Sequence, residues 1–343
     1  MIQSALKKVI EGHHLTREES YQVMHDIMDG KALPTQIAGY LVALRMKGEV
    51  VDEIVGSAQA MRDFATVVKP VSLNLTDTCG TGGDASGTFN ISTAAAFVAA
   101  AAGVKVAKHG NRAVSSKSGS ADVLQSLGIN IALTADQMAS CVDEVGIGFL
   151  FAQTLHPAMK NAIGPRRELA VRTIFNMLGP LTNPAKTKRQ VIGVFHPGLT
   201  ELFAEVLKEM GSEHVLVVHG IGGYDEYSVV GATQVTELKN GDIRTYRVNP
   251  IEFGLREQKH EDLLGGTPEE NAKIILDIFS GKETGAPRAV VSVNAGAAIY
   301  VSGLAETHFA GYELAEKAIS SGKAWEILEN LSTYSKKLGG ERS

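Results

Sequence analysis

The chain has 343 residues, of which 44% are hydrophobic and 21% are charged, and its formal net charge is −5. This composition is typical of an ordinary globular protein, long enough to bury a sizeable core in one domain or in two unequal ones. Because a basic footprint is missing, we predict no nucleic-acid partner. The longest apolar run, around residues 94–104, is well short of the roughly 20 residues of a membrane span, so we predict no membrane association.

The two cysteines, Cys79 and Cys141, are too few for a disulfide framework and favour a reducing compartment. The first residues also lack the long apolar segment of a secretory signal, so we expect a cytoplasmic protein. Cys79 lies in a glycine-rich segment where a reactive thiolate is conceivable. A packing role is favoured for it, and we assign it no chemistry.

Residues 1–71 have helical patterns throughout and predict a small helical domain. Thr16 and Glu19 have the spacing of a capping box, Pro34 is suited to open a helix, and residues 50–64 carry apolar side chains at helical spacing. One apolar stripe can be either core or partly a dimer surface. Its residues are Ile37, Tyr40, Leu41 and Leu44.

Strands and helices alternate from Leu73 onward, which predicts a larger α/β domain over residues 72–343 with a mostly parallel sheet. The hairpin signal Asn240-Gly241 predicts one antiparallel excursion, between strands at 234–238 and 243–248. Residues 268–331 are mostly helical in pattern, apart from a strand-like segment at 289–293. Further strands are expected at 73–77, 104–107, 129–132, 147–151, 190–195 and 214–219.

A glycine-rich segment from Asp77 to Asp84 stands between a predicted strand and a helix that begins after Asn90, its expected N-cap. Glycines in such a loop allow positive φ and let backbone N–H groups approach a phosphate. The positive end of the helix dipole, with hydroxyls from Ser92 and Thr93, would strengthen an anion site there. The alternative is a tight turn with a purely structural role.

The next strand delivers a second set of donors, which includes Lys108, His109, Asn111 and Arg112. Because the carboxyl ends of parallel strands meet at one edge of a sheet, both loops are expected to face one pocket. The run at 115–120 then adds hydroxyls and a cation, with a solvated linker as the alternative interpretation.

Taken together, these segments resemble the anthranilate phosphoribosyltransferase family, and the resemblance extends over nearly the whole chain. It implies an α/β fold of the nucleoside phosphorylase and phosphoribosyltransferase type. A small helical domain, completed by a helical segment near 155–176, would pack against the larger domain. The active site would lie between them, with dimerisation through the small domain. The segments that carry the resemblance are Asp77–Asp84, Asn90–Thr93, Lys108–Ser120, Gly164–Arg166, Asn176–Pro184 and Gly222–Glu226.

The resemblance also implies which residues bind the two substrates. Gly80, Asn111 and Arg166 are expected to contact anthranilate, whose carboxylate suits the planar fork of an arginine. Asp84 has turn capping as its alternative role. The residues expected to bind phosphoribosyl pyrophosphate are Gly80, Gly82, Gly83, Asp84, Thr88, Asn90, Ser92, Thr93, Lys108, Asn111, Ser116 and Ser120.

Further residues are candidates for the anthranilate side. Gly164-Pro165 predicts a helix start, so a cation in the first turn would oppose the helix dipole, which hints at function for Arg166. Arg167 would lie in the same first turn, but only Arg166 aligns with the family position, so we assign Arg167 to the surface. Met177 and Pro180 are candidates for an apolar wall beside the ring. His156 either contacts the acceptor or packs in a loop, and it is not assigned a catalytic role.

Asp225 and Glu226 follow the flexible segment His219-Gly-Ile-Gly-Gly223 and are the candidate ligands of Mg²⁺. An adjacent acidic pair in a loop is otherwise solvated surface. The resemblance implies that the pair holds one Mg²⁺ and that the hydroxyl of Ser92 joins the cluster of metal and pyrophosphate.

The implied reaction is attack of the anthranilate amine on C1 of the phosphoribosyl group, with loss of pyrophosphate. We identify no proton-transfer catalyst and expect catalysis by positioning and electrostatic stabilisation. Two alternatives are a nucleoside phosphorylase of the same fold and a non-enzymatic nucleic-acid-binding relative. The sequence favours the transferase, because its glycine signature, Arg166 and the Asp225–Glu226 pair are present and a basic groove is not.

Overall fold

A computed structural model describes residues 1–83, 86–113 and 117–340 of the chain. The part before the first strand is helical, as predicted. Its first four helices are α1 (Ile2–Ile10), α2 (Arg17–Met28), α3 (Pro34–Lys47) and α4 (Val51–Asp63). Helix α2 begins at the predicted capping box, in which Glu19 N donates to Thr16 Oγ1 (3.2 Å) and Thr16 N donates to Glu19 Oε2 (2.8 Å).

The larger part contains one seven-stranded sheet in the order β3-β2-β1-β4-β5-β6-β7. Strands β1 to β5 pair in parallel, and β5, β6 and β7 pair antiparallel. The predicted hairpin turn is present, with φ of 53° at Asn240 and 88° at Gly241. The strands are β1 (Thr76–Gly80), β2 (Val106–Gly110), β3 (Ile147–Phe151), β4 (Arg189–Gly193), β5 (His214–Gly220), β6 (Thr233–Lys239) and β7 (Asp242–Val248).

Most of the remaining helices cover the two faces of this sheet, and those at Lys160–Leu169 and Phe175–Leu181 pack against the N-terminal helices. One-turn 3-10 helices lie at Pro157–Met159, Pro250–Phe253 and His260–Leu263. The α-helices are α5 (Ile91–Ala101), α6 (Ser120–Ser126), α7 (Ala135–Val145), α8 (Ala152–Leu155), α9 (Lys160–Leu169), α10 (Phe175–Leu181), α11 (Leu199–Glu209), α12 (Pro268–Phe279), α13 (Ala286–Ser302), α14 (His308–Ser320) and α15 (Lys323–Gly339).

The two faces of the sheet belong to different apolar clusters, as the alternation of side chains along a strand requires. Val191, Leu216 and Val218 pack with α5 and α13, whereas Ile192 and Val217 pack with α11 and the N-terminal helices. Helices α9 and α10 join the second cluster and contact α2, α3 and α4. Because this cluster continues from the helical part onto the sheet, the division at residue 71 stays a prediction.

The apolar stripe on α3 is core. Ile37, Tyr40, Leu41 and Leu44 are at most 1% exposed within the single chain, so none of them is available to a second subunit. Among the described residues, no helix is both long enough and apolar enough to cross a membrane.

Two predicted strands are wrong. Residues 129–132 form a loop against α15, in which Asn130 N donates to Ser335 Oγ (3.1 Å) and Ile129 and Ile131 are buried. Residues 289–293 lie inside α13, a 17-residue helix buried along most of its length. In both cases a short buried apolar run has no periodicity that separates a strand from a helix or a packed loop.

Candidate active site

The strand order places a topological switch point between β1 and β4. Chain connections leave β1 toward β2 and β3 on one side, whereas β4 and β5 lie on the other side. A crevice outside the carboxyl ends of such strands is the usual ligand site in an open α/β sheet. Gly80 ends β1 and is paired with Gly193, which ends β4, so this edge has two neighbouring residues without side chains.

Asp225 occupies the space that the two glycines leave. A Cβ atom at Gly80 would lie 2.5 Å from Asp225 Oδ2, and one at Gly193 would lie 1.5 Å from the Asp225 carbonyl oxygen. Real Cβ atoms do not come so close to other atoms, so both positions need glycine for the approach of this loop. Gly80 therefore has a role different from the positive φ that the sequence suggested.

The carboxylate of Asp225 holds the glycine loop that follows β1. Gly82 and Gly83 have φ of 67° and 72°, the left-handed region that favours glycine, and both are exposed. The Gly82 N–H donates to Asp225 Oδ2 (2.8 Å). A Cβ at Gly82 would meet no atom of the described residues within 4 Å, so there is open space beside this glycine.

Lys108, Ser92 and Glu226 meet at the start of α5. Lys108 is buried, and its Nζ donates to the carbonyl of Thr78 and lies 3.4 Å from Ser92 Oγ. The Ser92 N–H donates to Glu226 Oε1 (3.3 Å). A cation, a hydroxyl and a carboxylate are thus brought together beneath the glycine loop, as the two-loop interpretation of the sequence requires.

Asn90 occupies the predicted N-cap position of α5, but its side chain makes no capping bond. Its amide instead connects distant segments: Oδ1 accepts from Ser118 Oγ (3.1 Å) and from Asn271 Nδ2 (2.9 Å). Thr88 lies next to Ser86, with 3.1 Å between the hydroxyl oxygens. Thr93 is buried, and its hydroxyl has no partner among the described residues.

The loop after β2 is tied to the start of α6. The carbonyl of Asn111 accepts from Ser120 Oγ (3.1 Å), and the side-chain oxygen of Asn111 accepts from Arg112 N (2.8 Å). Arg112 pairs with Asp122 (2.7 Å), so its charge is already balanced within the chain. Asp84 and Ser116, the remaining predicted ligands of phosphoribosyl pyrophosphate, lie outside the described residues.

A buried carboxylate supports the same edge from below. Asp77 is fully buried and accepts from Asn183 Nδ2 (2.7 Å) and from His109 N (3.1 Å). Burial raises its pKa above the ordinary value, while Lys108 and these donors act in the opposite direction. Asn183 also donates to the Ala107 carbonyl (2.9 Å), so one amide connects β1, β2 and the segment after α10.

Two neutral histidines, one in β2 and one after α8, lie next to each other. His109 and His156 are buried with ring centroids 5.1 Å apart. Burial lowers the pKa of His109 to about 3, with a smaller effect of neighbouring His156, and burial lowers the pKa of His156 to about 4. Their Nε2 atoms have no hydrogen-bond partner among the described residues. The pair therefore presents uncharged polar atoms at neutral pH.

Arg166 lies in the last turn of α9, not in the first turn of a helix. Pro165 stands inside α9, which begins at Lys160, so the predicted helix start at Gly164 is wrong. A cation in the last turn suits the helix dipole, and the proposed misfit at Arg166 does not exist. The sequence misled because proline usually opens a helix, whereas α9 starts after a separate one-turn helix at Pro157–Met159.

The guanidinium of Arg166 is nonetheless available for a ligand. It lies over the ring of Phe175, with 4.9 Å from Cζ to the ring centroid, and burial lowers its pKa below the ordinary value. Among the described residues no carboxylate lies within ion-pair distance of it, whereas Arg167 is simply exposed. Met177 and Pro180, the predicted apolar wall, are buried in α10, and their contact with a ring stays a prediction.

Asp225, Glu226 and Ser92 supply hard oxygen atoms close to the glycine loop, which is the chemistry that Mg²⁺ prefers. Within residues 1–83, 86–113 and 117–340 there is no group of three or more His, Cys, Asp or Glu side chains placed to hold a metal. Cys79 is buried and burial raises its pKa well above the ordinary value, in agreement with a packing role.

Comparison with known proteins agrees with this architecture. The model of the glycosyl transferase family, a/b domain, matches residues 72–325, and that of the helical bundle domain of the same family matches residues 3–65. The anthranilate phosphoribosyltransferase of Alkaliphilus metalliredigens is 54% identical over 338 residues, which cover 98% of this chain and 99% of the relative. The chain belongs to the anthranilate phosphoribosyltransferase family.

Solved structures of this family have the same fold. The enzyme from Thermus thermophilus superposes with a TM-score of 0.92 at 44% identity, covering 96% of this chain and 99% of that one. The enzyme from Saccharomyces cerevisiae, in complex with phosphoribosyl pyrophosphate and Mg, has a TM-score of 0.90 at 27% identity, with 98% of each chain covered. The fold class is confirmed, and the chain is a glycosyltransferase.

Three residues that shape the site were not predicted from the sequence. Gly193 admits Asp225, Asn183 holds Asp77, and Arg172 contacts the glycine loop. The only available signals were a glycine that ends a predicted strand and an asparagine inside the segment 176–184. Arg172 lies in a turn without a distinctive local pattern.

Proposed function

We propose that this protein transfers the phosphoribosyl group of phosphoribosyl pyrophosphate to the amine of anthranilate. The products are N-(5-phosphoribosyl)anthranilate and pyrophosphate, and the step belongs to tryptophan biosynthesis. The observation that carries the proposal is the convergence of the Gly82 amide, Lys108 and the Asp225–Glu226 pair at the switch point of the sheet. We infer that this convergence binds an anionic leaving group and its metal.

The leaving diphosphate accounts for most of the required chemistry. During transfer the bond from C1 to the diphosphate oxygen breaks, the bond from the anthranilate nitrogen to C1 forms, and the amine releases one proton. We infer that the loop amides and Lys108 stabilise the negative charge that develops on the diphosphate. Because Lys108 is buried, its charge acts in a medium less polar than water, which strengthens this effect.

Asp225, Glu226 and the hydroxyl of Ser92 would hold Mg²⁺, which when bound neutralises charge on the diphosphate. Asp225 already orients the glycine loop through the Gly82 amide, and Glu226 contacts the amide of Ser92 at the start of α5. The acidic loop therefore links the metal site to both parts of the predicted anion cradle.

The acceptor side suits a planar amino-carboxylate. We infer that Arg166 binds the anthranilate carboxylate through parallel hydrogen bonds, while Asn111 and Gly80 border both substrates. The rings of His109 and His156 are uncharged at neutral pH, so they do not compete with Arg166 for the carboxylate. No group needs to remove a proton before attack, because the lone pair of an aryl amine is already free at neutral pH.

The comparisons favour this activity over the two alternatives. Relatives at 50–54% identity over nearly the whole chain are anthranilate phosphoribosyltransferases. One structure of the family from Saccharomyces cerevisiae is a complex with 4-fluoroanthranilate. A nucleoside phosphorylase would have to accept phosphate and a nucleoside at the same edge, and no contact in the described site favours those ligands.

Fluorescence provides the decisive assay. Purified protein mixed with anthranilate, phosphoribosyl pyrophosphate and Mg²⁺ should consume anthranilate, seen as loss of its fluorescence, with one pyrophosphate released per anthranilate used. Reactions without Mg²⁺ or without the activated sugar are the controls. Turnover of nucleosides with phosphate, in a preparation that leaves anthranilate untouched, would contradict the proposal.

We further propose that the protein is a cytoplasmic homodimer. Several apolar side chains of the helical part are exposed, including Leu33 on the approach to α3, Met46 on α3 and Ile163 on α9, and α3 and α9 contact each other. The resemblance to the family implies dimerisation through the small helical domain, and exposed apolar side chains there are compatible with it. The two free thiols, both buried, are compatible with a reducing compartment. Sedimentation at micromolar concentration should give the mass of two chains.

A further inference from the structure

Arg172 makes an unusual contact with the glycine loop. It lies in the turn between α9 and α10, and its Nη2 donates to the carbonyl of Gly83. The guanidinium also stacks on Phe195, with 4.1 Å from Cζ to the ring centroid. Among the described residues no carboxylate lies within ion-pair distance of Arg172, so the Gly83 carbonyl and the ring are its partners in this region.

We propose that Arg172 is a positioning residue, which holds the glycine loop in its diphosphate-binding conformation and couples that loop to the anthranilate site. The inference rests on the proposed function. It concerns a side chain that the sequence analysis left without a role, and it gives a loop with two exposed residues at positive φ a contact that can hold it.

Two side chains of opposite charge hold the glycine loop. Asp225 accepts from the amide of Gly82, and Arg172 donates to the carbonyl of the next residue, Gly83. A glycine pair has more conformational freedom than any other pair of residues, so it loses most entropy when a ligand orders it. Two clamps, one on the peptide group before Gly82 and one on the peptide group after Gly83, reduce that cost before the ligand arrives.

The second clamp comes from the acceptor side of the cleft. Arg166 is in the last turn of α9, which ends at Leu169, and Ala170 caps the helix with φ of 51°. Arg172 follows two residues later. The turn that carries Arg172 thus continues directly from the helix end that carries Arg166, and we infer that this connection can couple a ligand on Arg166 to the carbonyl of Gly83.

This connection has a thermodynamic consequence. If binding at Arg166 favours the clamped loop, an acceptor carboxylate should tighten the binding of phosphoribosyl pyrophosphate, and the activated sugar should tighten the acceptor by the same factor. Phe195 supports the clamp by giving the planar guanidinium a face to stack on, which lysine cannot reproduce.

The test compares Arg172→Ala with the wild type and with Arg167→Ala, a control that removes an exposed arginine of α9. Calorimetry would measure the Kd of phosphoribosyl pyrophosphate with Mg²⁺, alone and with benzoate, which carries the carboxylate but no amine. We expect Arg172→Ala to raise this Kd about tenfold, as for loss of a hydrogen bond from a charged donor. We also expect the effect of benzoate to disappear, with the melting temperature of the variant near that of the control.

Two further measurements test whether Arg172 acts through its guanidinium group and through its stacking on Phe195. Added guanidinium should restore part of the affinity of Arg172→Ala, and Phe195→Leu should shift the Kd in the same direction by a smaller factor. An unchanged Kd in Arg172→Ala would overturn the inference. A benzoate effect that persists in the variant would overturn it too, because the coupling between the two ligands would then not pass through Arg172. Failure of the wild type to bind phosphoribosyl pyrophosphate would instead overturn the proposed function.

Discussion

Two regions of this molecule bury ionisable groups in opposite ways. At the antiparallel end of the sheet, Glu237 accepts from Tyr246 OH (3.0 Å) and Tyr300 OH (2.8 Å), and His214 Nε2 lies 2.9 Å from its carboxylate. These groups outweigh burial and lower the pKa of Glu237 to about 2. The carboxylate is satisfied entirely by its own chain.

At the carboxyl edge of β1 and β2, several polar groups have no hydrogen-bond or ion-pair partner among the described residues. Arg166 has no carboxylate partner among the described residues, and the Nε2 atoms of His109 and His156 have no hydrogen-bond partner there. We expect the antiparallel end to serve stability and the parallel edge to bind a ligand, because Arg166 lacks, in the described part of the chain, the ion-pair partner that Glu237 has in its own chain, and the following variants test that distinction.

The largest effect on catalysis is expected for Asp225→Asn combined with Glu226→Gln. Removing both negative charges should lower kcat/KM at least about a hundredfold, because the charge stabilisation supplied by a bound metal amounts to several kcal/mol. The Mg²⁺ concentration for half-maximal rate should rise as well. An unchanged Mg²⁺ requirement would remove the pair from the metal site.

Arg166→Ala should come next. We expect a loss of about 1.5–3 kcal/mol in anthranilate use, the range of a hydrogen bond to a charged group, with nearly unchanged affinity for phosphoribosyl pyrophosphate. Steady-state kinetics with each substrate varied in turn would measure both. Arg167→Ala is the matched control on the same helix and should behave like the wild type. Equal losses for the two substrates would contradict the assigned role.

Gly82→Ala should have a smaller effect, confined to the diphosphate. The position has φ of 67° and no atom near the added Cβ, so the expected cost is left-handed backbone strain of about 1–2 kcal/mol rather than a clash. Gly12→Ala is the matched control, since Gly12 has φ of 81°, equally open space and a place outside the site. A lower melting temperature with normal kinetics in Gly82→Ala would favour a purely structural turn.

Glu237→Gln should leave catalysis unchanged and alter stability only. The folded pKa of about 2 lies below the ordinary 4.5, so this carboxylate contributes stability that is full above pH 4.5 and is lost as the pH falls toward 2. At pH 7 the variant should lose about 1–3 kcal/mol of unfolding free energy, and the difference should shrink below pH 4.5. A loss of activity without loss of stability would break the comparison between the two regions.

The sequence by itself determined the order of elements, the helical start, the hairpin at Asn240-Gly241 and the two donor loops after β1 and β2. Those features depend on local signals: capping residues, turn residues and the alternation of short strands. Local signals failed where burial is complete, as at 129–132 and in α13, because such segments lose periodicity. They also failed at Gly164-Pro165, where a proline lies inside a helix that starts elsewhere.

Only the tertiary structure decided how the loops meet. The approach of Asp225 to Gly82 and the contact of Arg172 with Gly83 join residues that are 143 and 89 positions apart along the chain, and glycine at 193 makes room for Asp225. No local propensity encodes such pairs, since they depend on which strands neighbour each other at the switch point. The sequence thus specified the chemistry available to the protein, and the order of strands in the sheet decided where that chemistry converges.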